Sequence, residues 1–128
     1  MPKAEMITLT VNAQNQIKMT KNNAPFDGEL HLSKRDRVAF AYPEGAIAFF
    51  IKSYTSPRSR RKRTLRQRAM NYNGETPFHR ASDADRGWIQ LEVKDDHSVK
   101  KDDKYEYALV VLRPDGRIAS LDPQIIIE

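Results

Sequence analysis

The sequence predicts a single domain, residues 1–128, folded as an all-β, antiparallel Greek-key β-sandwich. Three observations predict it. Seven to nine short segments are rich in β-branched and aromatic residues and alternate apolar with polar, the period of a half-buried strand. Turn-forming residues separate them at short intervals. Helical periodicity is almost absent, and no stretch repeats internally. At 128 residues the chain is long enough to bury one core.

Met6–Val11 (MITLTV) alternates, and Asn12-Ala13-Gln14-Asn15 turns the chain into Gln16–Thr20 (QIKMT), so the two strands predict a hairpin. Lys21–Pro25 reads as a polar connection and Glu29–Leu32 (ELHL) as a short strand. Ser33-Lys34-Arg35-Asp36 is a turn before Arg37–Tyr42 (RVAFAY), which Pro43 and Gly45 stop. Ala46–Ser53 (AIAFFIKS) is almost continuously apolar, as a central strand is. Tyr54–Pro77 reads as a long basic loop. Within it Leu65, Ala69 and Tyr72 fall at i, i+4 and i+7, the spacing of a short amphipathic helix that Asn73-Gly74 would end. Phe78–Arg86 looks irregular. Trp88–Val93 is a strand with Trp88, Gln90 and Glu92 on one face and Ile89, Leu91 and Val93 on the other. Asp95–Asp103 is a charged loop.

Lys104–Leu112 opens the closing hairpin. In the turn Arg113-Pro114-Asp115-Gly116, Pro sets φ and Gly accepts a positive φ. Arg117–Leu121 returns. Pro123 has no N–H to give to a ladder, so the strand is interrupted there or lies at an edge, before Gln124–Ile127 resumes it.

Composition narrows the function classes. There is no Cys, hence no disulfide and no thiolate metal site. MPKAEMITLT has no long apolar core, so no signal peptide is expected. No apolar run approaches the ~18 residues of a membrane span. A cytoplasmic protein without membrane contact is predicted. The net charge of +5 is local: Arg58, Arg60, Arg61, Lys62, Arg63, Arg66 and Arg68 lie between Pro57 and Arg68 with no acid, and without those seven the chain carries −2.

His31, His79 and His97 are far apart in sequence and form no HxH or HxxxH pair, so no metal site and no cofactor is predicted. There is no GxSxG and no Asp-Thr/Ser-Gly pair. Asp95-Asp96 and Asp102-Asp103 read as solvated loop carboxylates, since catalytic ones need a pocket and a shifted pKa. The seven cations can neutralise phosphates, and Tyr54 and Tyr72 beside them can stack on bases. They carry the alternative reading, a non-catalytic binding or assembly module for nucleic acid or an acidic partner. A solvated, mobile loop accounts for them without any nucleic acid.

The strand order and the SKRDRVAF turn-strand resemble the cupredoxin-like Greek-key sandwich, with an immunoglobulin-like arrangement as the other form of the class. Here Arg35 stands before Asp36 where the cupredoxin-like proteins often have Gly. Their copper ligands, a Cys and a His flanking the last hairpin, are absent from Leu109–Gly116, so the resemblance implies topology and argues against electron transfer.

The bond with distinctive chemistry is Asp122-Pro123. An Asp carboxylate can attack its own main-chain carbonyl and close a five-membered anhydride, expelling a proline nitrogen that leaves readily once protonated. Water opens the anhydride to complete hydrolysis, and a neutral lysine amine opens it to an amide. Asp36, Glu44, Asp83, Asp85, Asp102 and Asp103 are candidates for a supporting carboxylate.

KYEY (Lys104–Tyr107), the PDG turn and LDPQIII together resemble a small family of bacterial β-sandwich proteins, formerly of unknown function, described as self-cleaving and self-assembling endopeptidases. The resemblance implies a cut next to Asp122, a short tail that stays in the sandwich, and Lys104 as the lysine linked to that Asp. The chain's own partner would then be itself, with a homo-oligomer as a further expectation. Strand geometry constrains the link. If Pro114–Gly116 is a three-residue loop, Arg113 faces Arg117, Asp122 faces Ala108, and Lys104 lies four residues, roughly 13 Å, further along. Lys104 then meets Asp122 only if the chain kinks at Pro123; otherwise the lysine comes from elsewhere. A structural subunit that pairs through an edge strand is a third reading.

Overall fold

The computed structural model describes residues 2–56, 59–64, 78–83, 85–95 and 99–128. They form an all-β sandwich of two six-stranded sheets, the single domain the sequence predicts. The strands are β1 (Ala4–Val11), β2 (Ile17–Lys21), β3 (Ala24–Phe26), β4 (Leu30–Leu32), β5 (Arg37–Ala41), β6 (Ala46–Ser56), β7 (Ser59–Thr64), β8 (Phe78–Asp83), β9 (Trp88–Val93), β10 (Lys104–Leu112), β11 (Ile118–Leu121) and β12 (Gln124–Ile127). One sheet runs β3-β2-β1-β5-β9-β8. The other runs β4-β12-β10-β6-β7, with β11 also on β10.

Both sheets are mixed where the sequence predicts antiparallel pairing throughout. β1 pairs parallel to β5, and β12 parallel to β4; the remaining pairs are antiparallel. Three strands fall where no strand is expected: β3 in the polar connection, β7 in the first part of the basic loop, and β8 in the irregular stretch. β3, β7 and β8 are all edge strands among the described residues. An edge strand buries one face at most and makes one ladder, so its hydrophobic pattern is weak. The amphipathic helix read over Leu65, Ala69 and Tyr72 lies outside the described residues, as do Arg58, Arg66 and Arg68.

Alternation builds the core. On β9 Ile89, Leu91 and Val93 point inward, as do Ile7, Leu9, Val38, Phe40, Tyr105, Tyr107, Leu109 and Val111 on β1, β5 and β10, and none of them is more than 2% exposed. Phe40, Phe49 and Tyr107 form its centre, with ring centroids 5.4–6.1 Å apart. The Ser33–Asp36 turn is as expected and also carries strain. Arg35 has φ 71°, the left-handed conformation that glycine adopts most readily. The turn is held by the buried Asp36 carboxylate, which accepts N–H from Lys3 at 2.9 Å and from Ser33 at 2.8 Å. These charge-assisted bonds tie the N-terminal segment to the start of β5.

Tyr107 couples the core to pH. Its hydroxyl is buried and donates to the Gly28 carbonyl at 2.7 Å. Burial, and then the Asp27 charge, push its pKa well above the ordinary tyrosine value. Burial and Glu44 move Tyr42 in the same direction. The folded state therefore holds these protons to higher pH than the unfolded chain does. Their contribution is complete below about pH 10 and is lost above it, for Tyr107 at ~1.4 kcal/mol per pH unit. Tyr107→Phe is expected to remove one such group from the slope of urea stability between pH 9 and 11. At neutral pH it should cost about 1 kcal/mol, because the Gly28 carbonyl loses its donor.

Candidate functional site

The Asp122-Pro123 bond lies in the break between β11 and β12, and β10 continues alongside it without a register change. Leu109 faces Leu121 above the break and Glu106 faces Gln124 below it. The rungs between them belong to Ala108 and Asp122, then Tyr107 and Pro123, where the Tyr107 N–H donates to the Pro123 carbonyl at 3.0 Å. The turn above sets this register. The Arg113 N–H donates to the Arg117 carbonyl at 2.8 Å, so Arg113 faces Arg117 as the loop length predicts.

The two residues of the bond have opposite environments. Pro123 is buried against Gly28, so closely that a Cβ on Gly28 would stand 2.6 Å from the Pro123 Cβ. Asp122 is on the outer face, its side chain 52% exposed. The tail beyond the bond is held on both sides. β12 pairs antiparallel with β10 and parallel with β4, and buries Ile125 and Ile127 to 1% exposure or less. The Ile127 N–H donates to Asp103, the Glu128 N–H to Leu32, and a Glu128 carboxylate oxygen lies 3.0 Å from His31 Nδ1. A chain cut at Asp122-Pro123 keeps these contacts.

The structure does not bring Lys104 to Asp122. Lys104 faces Ile126, four residues along β12, because the register runs unbroken through Pro123 and the chain has no kink to shorten the path. The lysine at Asp122 is Lys52 on β6, its Nζ 3.1 Å from Asp122 Oδ2. The alternation of AIAFFIKS puts Lys52 on the outer face with Phe50, but nothing local to β6 tells which strand lies within its reach.

The candidate supporting carboxylates are placed elsewhere. Both oxygens of Asp36 accept backbone N–H. Asp102 and Asp103 bond to Ile127 at the far end of β12. Glu44, Asp83 and Asp85 lie in or beside turns at the Leu112 end. No group of His and acidic residues with metal-binding geometry occurs among the described residues. His31 lies between Glu29 and Glu128; the side chain of His79 and all of His97 fall outside the description.

Arg60, Arg61, Lys62 and Arg63 sit on β7, which forms the edge of its sheet among the described residues. Cations on an edge strand oppose pairing with another sheet, an account that needs no ligand. No protein-family model matches this chain, and no curated protein is significantly similar to it.

Proposed function

We propose that the protein cleaves its own chain at Asp122-Pro123, with the Asp122 carboxylate as internal nucleophile. The observation that supports this reading is the break itself: a reactive Asp-Pro pair between two strands whose pairing is complete on either side. The Asp is exposed with its carboxylate paired to Lys52, while the Pro is packed in place. The product stays assembled, since β12 remains paired to β10 and β4. On this reading the chain is a member of the self-cleaving bacterial β-sandwich family that its C-terminal motif resembles. The reaction is a single intramolecular event rather than turnover of other substrates.

Intact mass of aged protein under denaturing conditions tests it. The expected result is a species lacking the six-residue tail Pro123–Glu128, absent from Asp122→Ala. A chain that stays whole over weeks, and in mild acid, would overturn the reading.

A further inference from the structure

We propose that Lys52 serves the Asp122-Pro123 reaction twice, first as the acid that protonates the leaving proline nitrogen and then as the amine that captures the anhydride. The reaction then ends in a Lys52–Asp122 amide instead of hydrolysis. This rests on the self-processing reading above.

A bulge in β6 carries the inference. β6 faces β10 rung by rung from Ala46 opposite Leu112 to Ile51 opposite Tyr107, and the next pair is Ser53 opposite Glu106. Lys52 is the extra residue, without a partner on β10. A bulge re-aims the side chain it carries and is a common device beside reactive groups. Lys52 points across β10 toward β11, two strand spacings or about 10 Å away. The β10 residue in the row of Asp122 is Ala108, which pairs with Phe50 on β6, and Lys52 stands two residues further along β6. The Nζ ends 3.1 Å from Asp122 Oδ2, on a residue 70 positions away in the chain.

The steps balance without any added reagent. An Asp122 carboxylate oxygen adds to the main-chain carbonyl carbon of the same residue. As the anhydride closes, the carbon–nitrogen bond to Pro123 breaks, and the nitrogen takes a proton from the Lys52 ammonium. The neutral Lys52 amine then attacks the side-chain carbonyl of the anhydride. A nitrogen–carbon bond forms, the ring carbon–oxygen bond breaks, and the Asp122 α-carboxylate departs. The proton shed by the Lys52 nitrogen ends on the Pro123 amine. No water is consumed, so residues 1–122 are one water lighter than after hydrolysis. Water has free access to this exposed site, yet an amine held beside the electrophile acts at an effective molarity of ~10⁵ M or more. Lys104, four rungs away, has no such advantage.

The test is intact mass and peptide mapping of the aged full-length protein, compared with Lys52→Arg, Lys52→Ala and Lys104→Ala. The expected wild-type product is the 1–122 fragment less one water, with the Lys52 and Asp122 peptides joined. Lys104→Ala should give the same product. Lys52→Arg keeps the cation but has no amine that becomes neutral, so it should cleave to the full hydrolytic mass with no link. Lys52→Ala should also lose the link and cleave ~10²-fold more slowly, the usual loss for a missing general acid. If the wild-type fragment carries its full water, or if the water loss persists in Lys52→Ala, Lys52 is not the acceptor, while self-processing stands. If the wild-type chain is never cut, the self-processing reading falls and the role of Lys52 falls with it.

Discussion

Phe40→Ala is expected to lower stability by about 4 kcal/mol. Phe40 is fully buried on β5 and packs between the two sheets. Its ring stacks near Phe49 with centroids 6.1 Å apart and tilts against Tyr107 at 5.7 Å. Those two rings stand on neighbouring strands of the opposite sheet, with Tyr107 anchored by its bond to Gly28 and Phe49 fixed in the β6–β10 ladder. Neither can collapse into the space left by Phe40, so the lost transfer energy and the residual cavity add. Urea unfolding monitored through Trp88 would read the loss as a lower midpoint at unchanged slope. A loss under about 2 kcal/mol would mean that the facing sheet repacks.

Gly28→Ala is expected to cost about 3 kcal/mol and, unlike Phe40→Ala, to act at the candidate site. Gly28 has φ 94°, a conformation that disfavours a side chain by ~1–2 kcal/mol. A Cβ there would also stand 2.6 Å from both the Met19 Cε and the Pro123 Cβ. The Met19 methyl is the end of a flexible chain and can swing away. The Pro123 ring cannot, because its residue is tied into β10 through its carbonyl. Overpacking of this kind adds ~1–3 kcal/mol. The strain would fall on the Asp122-Pro123 break, so amide protection at Ile125–Ile127 should drop more than at Leu109–Val111. Equal losses at both places would show that Gly28 supports the fold and not the tail in particular.

The strands legible in the sequence were those with two strong signals. β1, β5, β9 and β10 alternate, and their inner residues are the core. The Arg113–Arg117 turn announced itself by Pro and Gly, and its loop length correctly gave the register of Asp122 against Ala108. β3, β7 and β8 were not legible, because an edge strand is stabilised by the ladder its neighbour offers more than by its own pattern. APF contains a proline, and SRRKRT is four cations between hydroxyl residues; as isolated segments both read as loop. The parallel pairs were hidden for a related reason. Pairing β1 with β5 joins segments whose partner is chosen by sheet packing, with no turn between them to mark it.

The Asp122-Pro123 bond, its place at a strand break and its distance from Lys104 follow from the sequence alone, since proline chemistry and the 3.3 Å rise of a strand are local facts. Which lysine meets Asp122 is a tertiary fact. It depends on β6 lying two strands from β11, which brings the Lys52 Nζ on its bulge to 3.1 Å from Asp122 Oδ2. Strand order and bulge position come from how two sheets bury their faces together, and that energy is shared over the whole core rather than written near any one residue.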